Sequence, residues 1–197
     1  MLNAENAVLV VIDIQGKLAT LMHEREALYQ NVARIIKGAQ VLEIPIILTE
    51  QNPDGLGPTV SEIASLVQSQ PISKFAFSCC GEEKFMQALR ATARKQVLLT
   101  GIETHVCVYQ TAVDLLAAGY EVHVVADAVS SRTFANKHLG LMKMRDGRPA
   151  DRSAVASAGA AITSVETALF EMLKVARGEK FKEIIKSLHD PRGGIVK

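Results

Sequence analysis

The sequence of 197 residues has few cysteines, and their number and spacing argue against a disulfide framework. It contains three cysteines, of which Cys79 and Cys80 are adjacent. Disulfide scaffolds use an even number of spaced cysteines and belong to oxidising compartments. An odd count with an adjacent pair fits a reducing compartment, and we expect the protein to be cytoplasmic.

The sequence also lacks a long apolar segment. The first apolar run, residues 8–12, is interrupted by Asp13, and no early positive charge precedes it. We therefore expect no secretory signal peptide. No stretch approaches the roughly 20 apolar residues that cross a bilayer, so no membrane partner is expected.

Neither sign of charge dominates the sequence. It has 22 basic and 21 acidic residues, a net charge of +1, and the basic residues are scattered. A nucleic-acid-binding protein usually carries an excess of clustered basic residues. We expect no nucleic-acid partner and instead expect a small-molecule substrate.

Motifs for the common cofactors are missing as well. No G-x-G-x-x-G or Walker pattern is present, which disfavours dinucleotide binding and phosphoryl transfer. Four histidines show no metal-ligand spacing: His23, His123, His138 and His189. We therefore expect neither a metal nor an organic cofactor.

Apolar, β-branched runs alternate with helical patterns along the chain. The predicted strands are residues 7–14, 46–49, 72–77, 96–100, 120–126 and 160–164. The predicted helices are residues 27–42, 82–94, 104–118, 134–144, 165–176 and 180–188. This alternation predicts an α/β protein with a parallel sheet between two layers of helices and right-handed crossovers.

Proline and glycine mark the connections. Residues 50–58 contain two prolines and two glycines and are predicted to form a loop, and Gly101 is predicted to end a strand. We expect one domain over residues 1–190 and a mobile tail over residues 191–197. Ligands of such sheets bind beyond the carboxyl ends of the strands. The places to search are therefore Asp13, residues 49–52, Lys74, residues 101–107 and Asp127.

Cys107 is the first candidate for chemistry. It follows a strand end and lies in the first predicted turn of a helix, for which Thr104 is a plausible N-cap. Unpaired N–H groups and the helix dipole would lower the pKa of a thiol there and could hold an oxyanion. The alternative is a small buried hydrophobic residue, because free cysteine is often buried.

Asp13 and Lys74 are the second and third candidates. Asp13 ends an apolar strand, where a carboxylate needs a partner, and it could act as a base toward Cys107. Lys74 lies among apolar residues and could pair with Asp13 and stabilise negative charge. The plainer alternatives are that Asp13 caps a turn and that Lys74 is a surface residue at a strand edge.

Other reactive side chains fit catalysis less well. Cys79 and Cys80 have no helix N-terminus behind them, which favours a structural or incidental role. His105 is two residues from Cys107, and side chains at that spacing on a helix do not face each other. A Cys–His dyad is therefore not expected, although His105 could contact a substrate.

Four segments together resemble the isochorismatase-like cysteine hydrolase superfamily. They are residues 10–15 (VVIDIQ), the segment around Lys74, residues 101–108 (GIETHVCV) and residues 124–132 (VVADAVSSR). The resemblance runs from about residue 5 to residue 190. It is strongest to the isochorismatase domain-containing proteins, because it includes residues 50–60 and 181–184.

The resemblance implies a Rossmann-like fold with a six-stranded parallel sheet and a catalytic triad of Asp13, Lys74 and Cys107. It also implies a cis peptide bond between Ile102 and Glu103. Backbone N–H groups of Glu103 and Cys107 would then hold the substrate oxyanion. Self-association, as a dimer or a larger oligomer, is expected on the same grounds, with residues 162–173 and the C-terminal helix as the predicted interface.

Departures from better-known relatives narrow the expected reaction. Nicotinamidases of the superfamily have an Asp/His metal site after the second strand, whereas residues 49–53 (TEQNP) contain no histidine. True isochorismatases lack the catalytic cysteine. We therefore expect metal-independent hydrolysis of a C–N bond in a small amide or related acyl compound, through a thioester. Gln51, Phe77 and His105 are the predicted substrate contacts.

Two other functions remain open at this point. The first is a non-catalytic, oligomeric binding or scaffold protein that keeps the hydrolase fold. The second is a redox sensor in which peroxide converts Cys107 to a sulfenic acid without turnover.

Overall fold

The computed structural model describes residues 1–147 and 159–190, and its centre is a six-stranded, fully parallel sheet. The strands are β1 (Ala7–Ile12), β2 (Ile46–Gln51), β3 (Ile72–Lys74), β4 (Gln96–Ile102), β5 (Glu121–Ser130) and β6 (Ala161–Thr163). They lie in the order β3-β2-β1-β4-β5-β6. The predicted three-layer α/β/α architecture is confirmed. The predicted tail over residues 191–197 lies outside the described residues.

Helices cover both faces of this sheet. They are α1 (Gly16–Thr20), α2 (Arg25–Val41), α3 (Pro53–Leu56), α4 (Ser61–Ala64), α5 (Glu83–Ala91), α6 (Tyr109–Ala117), α7 (Phe134–Asp146), α8 (Val165–Leu173) and α9 (Glu179–His189). A π-helical turn, Thr104–Val108, directly precedes α6. Within the two described ranges, no helix is long and apolar enough to cross a membrane.

Strand β1 is the centre of the core, and its side chains point alternately to the two helical layers. Leu9 and Val11 pack into one apolar cluster with residues of α2, α8 and α9. Val8 and Val10 pack into a second cluster with residues of α5 and α6. All six β1 residues are buried. A strand that is covered on both faces needs a continuous apolar sequence. This explains the apolar run of residues from which β1 was predicted.

The strand order reverses between β1 and β4. The chain builds β1, β2 and β3 outward in one direction, and β4, β5 and β6 outward in the other. The loops that follow β1 and β4 therefore leave the sheet in opposite directions and open a crevice at their carboxyl ends, where ligands of such sheets bind. Asp13 follows β1 and the turn with Cys107 follows β4. The topology thus brings together two of the predicted catalytic residues.

Several predicted boundaries were wrong near this crevice. Residues 50–58 are not all loop, because β2 continues to Gln51 and α3 follows at once. Strand β5 continues four residues beyond the predicted end at residue 126, to Ser130. Short helices α1, α3 and α4 carry too few residues for a periodic pattern, so the sequence signal that found the long helices could not find them.

Gly101 was predicted to end β4, but it lies inside this strand. Its φ of +109° is disfavoured for any residue with a side chain, and the β4–β5 register shifts there. A Cβ atom at Gly101 would lie 2.1 Å from the carbonyl oxygen of Ile12, which is a backbone atom. Glycine is therefore required for β4 to pass this close to the end of β1.

Replacing Gly101 by alanine should lower the free energy of unfolding by about 3 kcal/mol or more, because strain and a backbone clash add. Gly119→Ala is the matched control: Gly119 also has a positive φ, +79°, but an added Cβ meets nothing within 4 Å. We expect this control to lose only about 1 kcal/mol. Urea denaturation measures both values, and equal losses would contradict the role assigned to close packing at Gly101.

Candidate active site

Asp13 presents its carboxylate at the centre of the crevice. The residue has a left-handed backbone, φ +53°, which aspartate tolerates better than most residues. Its side chain is buried. One carboxylate oxygen, Oδ2, accepts a bond of 2.6 Å from Nζ of Lys74, and Oδ1 accepts one of 2.8 Å from Oγ1 of Thr49. Both oxygens therefore have fixed partners within the sheet.

Lys74 is fully buried, with no exposed surface. Besides the bond to Asp13, its ammonium donates to Oε1 of Gln51 at 2.8 Å and to the carbonyl oxygens of Ala76 and Phe77 at 3.2 and 3.1 Å. A buried charge is costly unless it is paired and hydrogen-bonded. The chain after β3 folds over this ammonium with the carbonyl groups of Ala76 and Phe77 pointing toward it. The alternative prediction, that Lys74 is a surface residue at a strand edge, is therefore wrong.

Gln51 holds the ammonium rather than standing free in the crevice. In the ladder between β2 and β3, Gln51 lies directly opposite Lys74. Its side-chain amide accepts from Lys74 through Oε1 and donates through Nε2 to the carbonyl of Phe75 at 2.7 Å. Both ends of the amide are therefore engaged by the protein. The predicted substrate contact of Gln51 stays a prediction, and the geometry gives this residue a positioning role.

Gln15 is a supporting residue that the sequence reasoning missed. It is fully buried. Its Oε1 accepts from the backbone N–H of Gln51 at 2.6 Å, and its Nε2 donates to the carbonyls of Gln51 and Gly57 at 3.0 and 2.7 Å. Gln15 thus ties the chain after β1 to the end of β2 and to the end of α3. The signal in the sequence was its place two residues after Asp13, at the end of the motif of residues 10–15.

Cys107 lies in the turn that leaves β4. The peptide bond between Ile102 and Glu103 is cis, at the position that the family resemblance indicates. Helical structure then begins with a π-helical turn. Such turns are rare in proteins as a whole, but they occur frequently at functional sites. The prediction that Thr104 is the N-cap is wrong, because Glu103 occupies that position. The buried hydroxyl of Thr104 has no hydrogen-bond partner within the described residues.

The thiol of Cys107 is protonated at neutral pH. Burial, the largest cause, and the nearby negative charge of Asp13 together raise its pKa to about 12, and the ammonium of Lys74 lowers it by less. The predicted lowering of this pKa by the helix N-terminus is therefore wrong. The residue is 8% exposed, so only a small part of it is accessible.

Cys79 lies behind the same group of residues. It is fully buried, its sulfur is 3.8 Å from Oγ1 of Thr49, and its backbone N–H donates to the hydroxyl of Thr111 in α6. Burial raises the pKa of this thiol to about 12 as well. Cys79 therefore packs the wall of the crevice as a neutral side chain, in agreement with its predicted structural role.

Other predicted site residues line the rim. His105 is half-buried, and its Nδ1 is 3.0 Å from the hydroxyl of Ser131. The carboxylate of Glu103 accepts from the backbone and the guanidinium of Arg132, at 3.0 and 3.2 Å. Phe77 is 54% exposed beside the loop that covers Lys74. His105 and Glu103 thus connect the turn with Cys107 to the end of β5.

Asp127 does not join this group. It lies within β5, and its Oδ1 accepts a bond of 2.9 Å from the backbone N–H of Val165 at the start of α8. Its carboxylate therefore binds the N-terminus of α8 instead of facing the crevice. Among the described residues, no group of three or more histidine, cysteine, aspartate or glutamate side chains is arranged to hold a metal ion.

The fold and the crevice at the β1–β4 switch point define a doubly wound α/β protein, and sequence comparison gives its family. The isochorismatase domain matches residues 7–166. The chain belongs to the isochorismatase family, as the sequence motifs predicted.

Two curated relatives show how far the similarity extends. Isochorismatase domain-containing protein 2 of Xenopus laevis is 35% identical over 190 residues, which cover 96% of this chain and 87% of the relative. The secreted isochorismatase effector Isc1 of Phytophthora sojae is 37% identical and covers 94% of this chain and 85% of the relative. The similarity therefore spans nearly the whole domain.

Solved structures share the same architecture. The MAR1 ribonuclease of Caenorhabditis elegans is 36% identical, with a TM-score of 0.84, and covers 100% of this chain and 97% of its own. The YcaC product of Escherichia coli, described as an octameric hydrolase of unknown specificity, is 26% identical with a TM-score of 0.82. That match covers 98% of this chain and 92% of YcaC.

The protonation state of Cys107 gives a test that is independent of any substrate. Because the pKa of the thiol is raised to about 12, alkylation of Cys107 by iodoacetamide should keep accelerating above about pH 10. In Asp13→Asn the negative charge that raises this pKa is gone and Lys74 remains. The midpoint of the pH–rate profile should then move to lower pH.

Peptide-level mass spectrometry measures the alkylation of Cys107 separately from that of Cys79 and Cys80. Asp114→Asn is the control, since Asp114 is exposed and raises the pKa of Cys80 instead. This variant should leave the Cys107 profile unchanged. A wild-type midpoint near the ordinary thiol value of about 8.5, or no shift in Asp13→Asn, would contradict the geometry described for the site.

Proposed function

We propose that the protein is a cysteine hydrolase that cleaves the C–N bond of small amides or related acyl compounds. The observation that carries the proposal is the position of Asp13 at the switch point of the sheet, where it bonds to the ammonium of Lys74 and its charge raises the pKa of the Cys107 thiol. One carboxylate thus acts on both a fixed cation and a nucleophile. This is the arrangement expected of a base that activates a thiol.

The acylation step follows from the resting thiol. As the sulfur of Cys107 attacks the substrate carbonyl carbon, its proton moves to Asp13, and a C–S bond forms. The carbonyl oxygen becomes an oxyanion, for which the backbone N–H groups of Glu103 and Cys107 are the proposed donors. The C–N bond then breaks, the leaving amine takes the proton from Asp13, and a thioester remains on Cys107.

Deacylation reuses the same carboxylate. Asp13 takes a proton from a water molecule as the water oxygen attacks the thioester carbon. The C–S bond breaks, the acid is released, and the proton returns to the sulfur of Cys107. Throughout, the ammonium of Lys74 holds the carboxylate of Asp13 in position through their bond of 2.6 Å. No step in this scheme requires a metal.

The proposed substrates are small because little of Cys107 is exposed. Cys107 is 8% exposed, so a bulky acyl group could not reach it without movement of the rim. We assign Phe77 as an apolar wall and His105 as a polar contact beside Ser131. Gln51 contributes chiefly by orienting Lys74, because both ends of its amide are occupied.

Amide hydrolysis should depend on all three residues of the triad. Cys107→Ser, Asp13→Asn and Lys74→Met should each lower kcat/KM by about 10³-fold or more, because residues that act as a unit lose most activity together. Cys80→Ser is the control, since its sulfur lies outside the group of bonded residues, and should keep wild-type turnover. A panel of small aliphatic and aromatic amides, assayed for released amine, gives the measurement.

Intact-mass spectrometry adds a test of the intermediate. Rapid acid quenching should reveal an acyl adduct on the wild-type protein and none on Cys107→Ser. Full turnover by Cys107→Ser would refute the mechanism. No turnover of any amide, together with no reaction of Cys107 with peroxide, would instead favour the non-catalytic scaffold, and sulfenic acid without turnover would favour the redox sensor.

RNA cleavage is a second candidate function, favoured by the description of the C. elegans structure as a ribonuclease. The balanced net charge of +1 gives no support to tight RNA binding. Labelled single-stranded RNA in the same assay separates the two functions. RNA cleavage without amide hydrolysis would overturn the first proposal.

We also propose that the protein forms a homo-oligomer in a reducing compartment such as the cytoplasm. The octameric description of YcaC supports association. Ile162 is 39% exposed on the edge strand β6, within the predicted interface, and Phe75 is 75% exposed near the crevice. Light scattering should therefore give a mass of at least twice the 21.3 kDa chain. A mass equal to one chain over micromolar concentrations would contradict this.

A further inference from the structure

A second cleft lies apart from the triad. It has a volume of about 590 Å³ and is formed by the start of α2 and by the chain between α3 and α4. Its described lining residues include none of the three triad members. The volume falls in the range of about 300–1,000 Å³ that is usual for sites of small ligands.

The charged side chains of this cleft give it a net charge of −1. Arg25, Glu26 and Glu62 line it. Arg25 bonds to Glu26 through two guanidinium nitrogens, and this bond is the largest cause of its raised pKa. Glu62 contributes less to that pKa, and its one hydrogen bond within the described residues comes from the hydroxyl of Ser61. Glu62 is therefore a carboxylate without a bonded cation in the described chain.

Tyr29 provides a second and independent feature. The residue lines the cleft and is only 9% exposed, yet its hydroxyl has no hydrogen-bond partner within the described residues. The nearby charges of Glu62 and Arg25 act on this hydroxyl, and burial with the charge of Glu62 raises its pKa. A buried hydroxyl without a partner is costly. A ligand that supplies a polar group here would remove this cost.

From these observations we propose that the cleft is a binding site for a small organic cation with an apolar stem. The cationic group, a guanidinium or an ammonium, pairs with Glu62 and brings a polar atom to the hydroxyl of Tyr29. The stem packs against the side chain of Val60 and the ring of Tyr29, whose face also attracts cations. The site is separate from the proposed amide chemistry and does not depend on it.

Calorimetric titration with N-butylguanidinium tests the proposal, with N-butylurea as the uncharged ligand of the same shape. Cys107→Ser is the background, so that neither compound can be turned over. N-butylguanidinium should bind and N-butylurea should bind at least about tenfold more weakly, as expected for the loss of a charge-assisted contact.

Two variants locate the binding. Glu62→Gln should weaken the binding of N-butylguanidinium about tenfold, and Tyr29→Phe about threefold or more. Because the hydroxyl of Tyr29 has no hydrogen-bond partner among residues 1–147 and 159–190, Tyr29→Phe should not lower the melting temperature. Glu5→Gln, an exposed carboxylate before β1, is the matched control and should leave binding unchanged.

Equal binding of the charged and uncharged ligands would overturn the proposal. Undiminished affinity in both Glu62→Gln and Tyr29→Phe would also overturn it, because the cation would then bind elsewhere, for example beside Asp13. A cleft that a neighbouring chain closes in solution would give no titration at all, and that result counts against the proposal as well. None of these results bears on amide hydrolysis at Cys107.

Discussion

The bond between Asp13 and Lys74 is the constraint on which the rest of the site depends. Two opposite charges lie 2.6 Å apart, and neither side chain has more than 2% of its surface exposed. Removing one partner of such a pair typically costs about 3–5 kcal/mol, because the other charge is left buried without compensation. The sequence must therefore supply further acceptors for the ammonium. It does so with Gln51 and with the carbonyls of residues 76 and 77.

These extra acceptors explain why three strands and their loops meet at one point. Lys74 is the last residue of the edge strand β3, Gln51 ends β2, and Asp13 follows β1. Gln15 fixes the backbone of Gln51 from both sides, so a side chain without direct contact to the ammonium still determines where the ammonium lies. Displacing any of these strand ends would leave a buried polar group without its partner, which a folded protein tolerates poorly.

The sequence predicted the fold and the positions of Asp13 and Cys107 at strand ends, because both depend on local patterns. The apolar run of β1 follows from burial on two faces, and the reversal of strand order between β1 and β4 places Asp13 near the turn with Cys107 whatever the details of the loops. The bonds of Gln15 to Gln51 and of Thr49 to Asp13 were not predicted, because they depend on which atoms lie opposite these side chains in space. Similarly, no periodic pattern reveals that Gly101 passes within contact of Ile12. Short helices and side-chain partners are set by tertiary packing.

The pKa of Cys107 likewise depends on tertiary contacts that local sequence patterns do not reveal. The helix start after β4 predicts a thiolate, because local dipoles at a helix N-terminus favour the charged form. Desolvation and the charge of Asp13 act in the opposite direction and prevail, with a pKa of about 12 as the result. A thiol that keeps its proton is a weak nucleophile at rest. In the proposed reaction, Asp13 removes the proton only as the carbonyl carbon accepts the sulfur's electron pair, so that negative charge never rests on the buried sulfur. The carboxylate that raises the pKa of Cys107 is thus also the proposed base, and Lys74 holds it in position.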